Sequence, residues 1–205
     1  MPFIKIRFLF SLAFLMVNLL YAQVGKEQYQ EIKAFQKDLN VQFADPEDSP
    51  LTPEDLDSFE ELEFFSINLN YRIDAKFVRT PDQKPFKMAT STKRKPEYVK
   101  YGEAHFVIGD SSFVLTLYQS LSLKKEEEYS NYLFLPFKDY TNGFGSYGGG
   151  RYIDLEIPEG DIITLDFNQA YNPYCAYSDR YSCPLVPDEN HLEVEIPAGV
   201  KNWDH

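Results

Sequence analysis

The sequence predicts a mainly β protein: an antiparallel sheet, sandwich or partly closed barrel, with one or two N-terminal helices. Three observations lead to this fold class. Several short segments alternate apolar and polar side chains with a period of two. Turns rich in Gly, Pro, Asn and Asp separate these segments. No helix-length pattern lies between them, which disfavours βαβ units and a parallel sheet. The 205 residues, with 15 Tyr and 17 Phe, suffice for one domain with a packed core.

The first 22 residues have the pattern of an export signal. Lys5 and Arg7 precede an apolar run over 8–20, and the segment ends in a small residue, Ala22. The run is shorter than the roughly 20 apolar residues that a membrane span needs. We therefore expect cleavage of residues 1–22, a periplasmic or secreted location, and no membrane span in the mature chain.

The charge of the chain restricts its partners. Removal of the two basic residues of the signal changes the net charge from −12 to −14. A net anion does not attract nucleic acid or an anionic membrane, so we expect neither as a partner.

Residues 23–63 are a predicted helical, acidic segment. Ile32, Phe35 and Leu39 recur at helical spacing within 24–42, and we interpret this helix as a structural cover on the sheet.

An acidic run over 45–63 holds nine Asp or Glu and no basic residue. In it, Thr52 followed by Pro53 has the N-cap signature of a short helix. A calcium loop is the alternative, but the run lacks the alternating oxygen-ligand spacing and central Gly of an EF-hand.

Residues 64–205 are the predicted β-rich part of the same single domain. The strongest alternation runs from Phe65 to Phe77 and predicts a long antiparallel strand. Further strands are predicted at 105–108, 113–118, 132–137, 151–157, 162–167 and 192–196. The basic stretch 84–100 has two interpretations: it binds acidic glycans or lipopolysaccharide, or it balances the acidic segment within the fold.

The loop 139–151 is the first candidate for a site. It contains five Gly between 143 and 151, and glycine backbone readily adopts positive φ. A tight bulged connection between strands is favoured over a phosphate cradle, because neither a Lys-Ser/Thr leading into a helix nor a βαβ context is present. Arg151 is the candidate for fixing a carboxylate or phosphate with its planar guanidinium.

The loop 166–190 is the second candidate. Its Asn, Tyr, Asp and Pro residues either tie the loop to its own backbone or form a polar pocket wall. Together with Arg151, the candidate ligand-binding residues are Asn168, Tyr171, Asn172 and Asn190. We expect a small polar or anionic ligand. Asp166 and Glu189 are candidate acid and base of a hydrolase acting on envelope or glycan material. A structural or interaction module without catalysis is the third interpretation.

Cys175 and Cys183 bracket seven residues within this loop. In an exported protein the expected state of such a pair is a disulfide. A zinc site would need two more ligands, and a nucleophilic cysteine would need a nearby histidine. No hydrolase motif of the Gly-x-Ser-x-Gly type is present. We expect no metal and no cofactor.

Three groups of segments resemble the bacterial domain-of-unknown-function 1684 family. They are Phe86-Lys-Met-Ala-Thr-Ser-Thr92 with Tyr98-Val-Lys-Tyr-Gly102, Phe137-x-Asp139-x-Thr141-x-Gly143 with Tyr147-Gly-Gly-Gly-Arg-Tyr152, and Asp166-Phe-Asn-x-Ala-Tyr-Asn-Pro-x-Cys-Ala176 with Cys183-Pro and Glu189-Asn190. The resemblance extends from Phe35 to Lys201. It implies a β-rich domain and marks both loops as signature regions, but it implies no reaction, substrate or cofactor. Relatives without an export signal keep both cysteines, which leaves metal binding or a thiol role open beside the disulfide.

Overall fold

The computed structural model describes the backbone of residues 3–203 and the side chains of residues 23–203. An antiparallel sheet curled into a half-barrel follows the helices, so the predicted fold class is confirmed. The predicted export signal, 1–22, lies outside the residues whose side chains are described. Within the described chain, none of the helices combines the length and apolar character needed to cross a bilayer.

The secondary structure comprises two α-helices and seven named strands in the described chain. The helices are α1 (Phe3–Ala44) and α2 (Pro53–Ser58). The strands are β1 (Arg72–Arg79), β2 (Phe86–Lys87), β3 (Glu97–Ile108), β4 (Ser111–Ser120), β5 (Tyr132–Phe137), β6 (Arg151–Glu156) and β7 (Ile162–Asp166). Their order in the sheet is β6-β5-β4-β3-β1-β7, with β2 paired to β3. Every strand pair is antiparallel.

Both predicted helices are present. The predicted helix 24–42 lies within α1, and α2 begins directly after its predicted N-cap. The Thr52 hydroxyl accepts a hydrogen bond from the Asp55 backbone N–H at 3.2 Å, which satisfies one of the free donors of the first helical turn.

The strands predicted at 105–108 and 113–118 form a hairpin, and both are longer than the sequence pattern indicates. Strands β3 and β4 pair from Ile108 and Ser111 outward, around a two-residue turn at Gly109 and Asp110. Gly109 has φ of +59°, a conformation that hairpin turns need and that glycine adopts without steric cost.

The long strand predicted from Phe65 begins only at Arg72, and the first half of that prediction is wrong. Asn68 instead caps a 3₁₀ turn over Leu69–Tyr71. The Asn168 side chain binds the Asn68 backbone on both sides: Oδ1 accepts from its N–H at 2.9 Å and Nδ2 donates to its carbonyl at 3.0 Å. This side chain takes the place that a neighbouring strand would otherwise fill.

The strand predicted at 192–196 is also wrong, because the segment makes only isolated backbone pairs. The Leu192 N–H donates to the Lys138 carbonyl at 2.8 Å, and the Tyr140 N–H donates to the Val194 carbonyl at 3.0 Å. At Ile196 the backbone N–H turns to the Asp139 carboxylate instead, at 3.2 Å, which ends the pairing.

The sheet is covered on both faces. Leu133, Leu135 and Ile153 belong to the main hydrophobic core. Phe134 and Tyr152, which alternate with them along β5 and β6, belong to an aromatic cluster on the opposite face. That second face lies toward the C-terminal half of α1 and forms the setting of the candidate site.

Candidate ligand-binding site

A cavity of about 500 Å³ lies between α1 and the aromatic face of the sheet. Helix α1 contributes Phe35, Leu39 and Gln42; the strands contribute Tyr98, Tyr132, Phe134, Tyr152 and Asp154; and the loop 166–190 contributes Tyr171, Tyr174, Tyr181 and Cys183. The volume falls in the range of small-molecule sites, and the walls are mainly aromatic, as in such sites. We call this cavity the tyrosine pocket.

Among the described residues that line the tyrosine pocket, Asp154 has the one carboxylate, and none is a lysine or an arginine. Its Oδ1 accepts hydrogen bonds from the hydroxyls of Tyr132 at 2.6 Å and Tyr171 at 2.7 Å. Its Oδ2 accepts none from the described residues. The protein therefore holds one oxygen of this pocket-lining residue in place and leaves the other without a partner among the described residues.

The surroundings of Asp154 set the ionisation of the pocket. The Asp154 side chain is exposed, but the protein atoms around it partly desolvate the carboxylate and raise its pKa, while the hydrogen bonds from Tyr132 and Tyr171 act in the opposite direction. Burial also raises the pKa of both tyrosines, and the neighbouring Asp154 charge raises them further. The two hydroxyls thus stay protonated and act as donors at neutral pH.

The aromatic walls form one connected surface. Phe134 packs edge-on against Tyr152 with ring centroids 4.7 Å apart, and Tyr152 meets Tyr171 edge-on at 5.9 Å. The Tyr152 ring is fixed further by its hydroxyl, which donates to the Pro184 carbonyl. Strand β6 and the loop 166–190 are thereby joined around Asp154.

Arg151, the predicted anion-binding residue, lies fully buried away from the tyrosine pocket. Its Nη2 donates to Asp139 Oδ2 at 2.6 Å and to the Ile196 carbonyl at 2.9 Å, and its Nη1 donates to the Ala198 carbonyl. Burial lowers its pKa and the Asp139 charge opposes that effect. The guanidinium therefore ties the glycine-rich loop to the C-terminal segment.

Asp166 and Asn168 lie together at the end of β7. The Asp166 carboxylate accepts from the Asn168 backbone N–H at 3.0 Å, from Asn168 Nδ2 at 2.9 Å and from Arg72 Nη1 at 2.9 Å. Asn168 in turn holds the backbone of residue 68. These side chains satisfy one another and the local backbone.

Asn190 fills a gap between β4 and β5, which pair only at Tyr118 and Phe134. Two residues further along, Pro136 has no N–H to offer Thr116, so the ladder lacks a donor there. Asn190 supplies it: Nδ2 donates to the Thr116 carbonyl at 2.9 Å and the Pro136 carbonyl at 2.7 Å, and Oδ1 accepts from the Thr116 N–H at 2.8 Å. The buried amide acts as a local strand partner.

Glu189 is bonded to Lys100 and Tyr118, and it shares neither partner with Asp166. Lys100 Nζ lies 2.6 Å from its carboxylate, and the Tyr118 hydroxyl donates to it at 2.9 Å. Partial burial alone would raise the Glu189 pKa, but these hydrogen bonds, with one from its own backbone, lower it overall.

Asn172 is buried and donates to the Lys201 carbonyl at 2.8 Å and to the Tyr177 hydroxyl at 3.2 Å.

Of the predicted site residues, Tyr171 and Cys183 line the tyrosine pocket, and the structure does not bring Asp166 and Glu189 into one network.

A family profile described as "Protein of unknown function (DUF1684)" matches residues 57–201. The chain belongs to the DUF1684 family. An uncharacterized protein of Haloarcula marismortui, solved by solution NMR, is 34% identical to this chain with a TM-score of 0.68. The match covers 87% of this chain and 96% of that one. No curated protein matches the chain.

The DUF1684 segments identified in the sequence serve two purposes in this structure. Polar side chains such as Asp139, Arg151 and Asn190 form hydrogen bonds within the protein that hold loops to the sheet. Tyr152, Tyr171 and Cys183, in contrast, line the tyrosine pocket.

Sequence reasoning missed Asp154 and Tyr132, the two residues that with Tyr171 define the pocket. One signal was available: the run Tyr-Leu-Phe-Leu-Pro-Phe of β5 is apolar on both faces, which indicates a strand buried on both sides. The β6 side chains on the face opposite the main core, Tyr152 and Asp154, are then expected next to a second cluster of packed side chains.

The predicted cysteine pair is brought together. The Cys175 backbone N–H donates to Cys183 Sγ at 3.1 Å, and the structure has both cysteines as thiols. The predicted disulfide thus stays a prediction.

Proposed function

We propose that this DUF1684 protein binds a small organic cation, an ammonium group on an apolar or aromatic body, in the tyrosine pocket. The observation that carries the proposal is the arrangement at Asp154, a residue that lines the aromatic cavity. Tyr132 and Tyr171 hold one of its oxygens, and the other has no partner among the described residues.

The chemistry of the walls supports a cation. Aromatic faces attract a positive charge by about 2 kcal/mol or more when the site is desolvated. A carboxylate among them adds a direct ion pair, and a cation near Asp154 favours the ionised form that burial disfavours. The surrounding apolar surface favours a ligand whose charged group is attached to a hydrophobic body.

An anionic ligand has less support. Arg151 was the predicted partner for an anion, and its guanidinium is buried in contacts with Asp139 and two carbonyls. A hydrolase based on Asp166 and Glu189 also has less support, because general acid–base catalysis needs both groups within reach of one substrate. Asp166 is bonded to Arg72, whereas Glu189 is bonded to Lys100.

Export before ligand binding is part of the proposal. The pattern of residues 1–22 supports a periplasmic or secreted location, where the mature chain would begin at Gln23. The intact mass of the protein recovered from outside the cytoplasm tests this: a mass beginning at Gln23 supports export, and a full-length mass in the cytoplasm contradicts it.

Chemical-shift mapping tests the location of the site. We expect phenyltrimethylammonium to perturb the ring signals of Tyr98, Tyr132 and Tyr171 in a saturable manner. The uncharged isostere tert-butylbenzene should perturb the same rings at higher concentration only. Perturbations confined to the loop 139–151, or absent at saturating ligand, would refute the proposal.

A further inference from the structure

The two cysteines of the chain differ in how they are held. Cys183 is buried and anchored to residues 89–91: its N–H donates to Ser91 Oγ at 3.1 Å, and its carbonyl accepts from the Ser91 N–H at 2.8 Å. Cys175 lies on a 3₁₀ turn over Tyr174–Ala176 and is partly exposed. The pair therefore consists of one accessible thiol and one fixed, sheltered thiol.

We propose that Cys175 and Cys183 form a reversible redox pair, in which Cys175 attacks a small disulfide oxidant and Cys183 resolves the mixed disulfide. This differs from a structural disulfide, which is formed once and holds the loop closed. The inference is independent of the ligand of the tyrosine pocket.

The loop between the cysteines is folded with both thiols reduced. Arg180 Nη2 donates to the Ser49 carbonyl at 2.7 Å, and Arg94 Nη2 donates to the Ser182 carbonyl at 2.5 Å. The Ser182 hydroxyl also lies 2.6 Å from that of Thr92. These bonds hold the loop without a covalent link, which favours a folded dithiol form and hence a reducible disulfide.

Their environments assign the two thiols different roles. The hydrogen bond from the Cys183 side chain lowers the pKa of Cys175 to about 7, and one from the Tyr147 hydroxyl acts in the same direction. The same shared hydrogen bond, followed by burial, raises the pKa of Cys183. Because the thiolate is the attacking species and Cys175 is the more exposed of the two thiols, we assign Cys175 as the nucleophile.

The reaction balances with glutathione disulfide as the oxidant. The Cys175 thiolate attacks one sulfur, a bond forms between Cys175 and that glutathione, and the other glutathione leaves as its thiolate. Cys183 then loses its proton to solvent and attacks Cys175 Sγ, which expels the second glutathione. The protein loses two electrons and the two thiol protons, and glutathione disulfide becomes two molecules of glutathione.

The pair also borders the tyrosine pocket. Cys183 lines the cavity. Tyr181 belongs to the segment that the disulfide would close, and Tyr174 directly precedes Cys175; their ring centroids lie 5.1 Å apart. Oxidation would fix these two rings relative to one another, so a ligand of the pocket is expected to bind the two redox forms differently.

Trapping the intermediate tests the assignment, and the chain is suited to it because it has only two cysteines. With glutathione disulfide at pH 7, Cys183→Ser should accumulate a mixed disulfide at Cys175. The matched variant Cys175→Ser should react about tenfold or more slowly at Cys183, because that thiol is buried and protonated. In the wild-type protein, intact mass should show loss of two hydrogen atoms, and excess glutathione should reverse it.

A second measurement keeps the test decisive if either variant fails to fold. In reduced wild-type protein, a limiting amount of iodoacetamide should label Cys175 before Cys183, as read by peptide mass. Equal labelling of the two cysteines would overturn the inference. So would a wild-type disulfide that excess glutathione does not reduce, or a dithiol that glutathione disulfide does not oxidise.

Discussion

The Tyr171 hydroxyl lies 2.7 Å from Asp154 Oδ1 and joins the loop 166–190 to strand β6 inside the tyrosine pocket. Tyr132 donates to the same oxygen from β5, so three parts of the chain meet at one carboxylate. Since Oδ2 has no partner among the described residues, this arrangement fixes the charge while leaving it available to a ligand.

Tyr171→Phe tests how this contact tunes the pocket. The hydroxyl lowers the pKa of Asp154 against the effect of burial, so its removal raises that pKa further. A cation needs the ionised carboxylate, and its affinity falls as pH falls through this pKa. We therefore expect the midpoint of phenyltrimethylammonium affinity against pH to move to higher pH, as measured by titrations across the acidic range.

Tyr174→Phe is the matched control for that prediction. Tyr174 also lines the pocket, but its hydroxyl bonds to Gln42 at 2.7 Å and not to Asp154. In this variant the midpoint of phenyltrimethylammonium affinity against pH should be the same as in the wild-type protein. Equal shifts in the two variants would show that Tyr171 does not act through Asp154.

Arg151→Met tests the buried ion pair. The change leaves the Asp139 carboxylate buried without its partner, which costs about 3–5 kcal/mol of unfolding free energy. The double variant with Asp139→Leu should recover part of the loss, because no charge is then left unpaired. Urea denaturation measures both.

Lys201→Met is the control for the ion pair, since Lys201 and Glu63 form an exposed pair at 3.0 Å. Such pairs contribute about 0–1 kcal/mol. If Arg151→Met cost no more than Lys201→Met, Arg151 would not hold the loop as described, and its availability to a ligand would have to be reconsidered.

Asn190→Ala tests whether the Asn190 side chain pairs with the Thr116 backbone in place of a neighbouring strand. It leaves the Thr116 N–H and carbonyl without their bonds, and each unsatisfied buried group costs about 1–3 kcal/mol. Hydrogen exchange at Thr116 should accelerate together with the loss of unfolding free energy. The exposed Asn70→Ala should stay within about 0.5 kcal/mol of wild type. Unchanged exchange at Thr116 would contradict this role.

Gly199→Ala tests a close backbone approach. Gly199 has φ of +81°, and a Cβ there would lie 2.5 Å from the Ala170 carbonyl oxygen. Gly143 has a similar φ of +84° with open space around it, so Gly143→Ala carries only the backbone strain of about 1–2 kcal/mol. Gly199→Ala should lower the urea midpoint clearly more than Gly143→Ala. Equal effects would mean that the contact with residue 170 relaxes freely.

The fold class was readable from the sequence because period-two alternation and turn residues are local signals. The N-cap at Thr52 and the hairpin at Gly109 follow from the same local chemistry. The two wrong strands share a cause: at 65–71 and 192–196, the long-range side chains of Asn168 and Asp139 take over backbone groups that a strand would pair. An alternating pattern does not reveal such partners.

The candidate site was harder to predict for a related reason. Arg151, Asp166 and Asn190 have the residue types of a binding site, and only the tertiary structure shows that their hydrogen-bonding groups face the protein's own backbone. Asp154 has the pattern of an ordinary solvent-facing strand residue, because the helix residues that line the same cavity lie more than a hundred positions earlier in the chain.

The central claim is that Asp154 selects a cation. Calorimetric titration of Asp154→Asn with phenyltrimethylammonium and tert-butylbenzene tests it most directly. The control is Glu156→Gln, which removes a carboxylate two residues further along β6 that does not line the tyrosine pocket. We predict that Asp154→Asn removes the preference for phenyltrimethylammonium over tert-butylbenzene and leaves the affinity for tert-butylbenzene unchanged. Glu156→Gln should keep that preference. A preference retained in Asp154→Asn would contradict the claim.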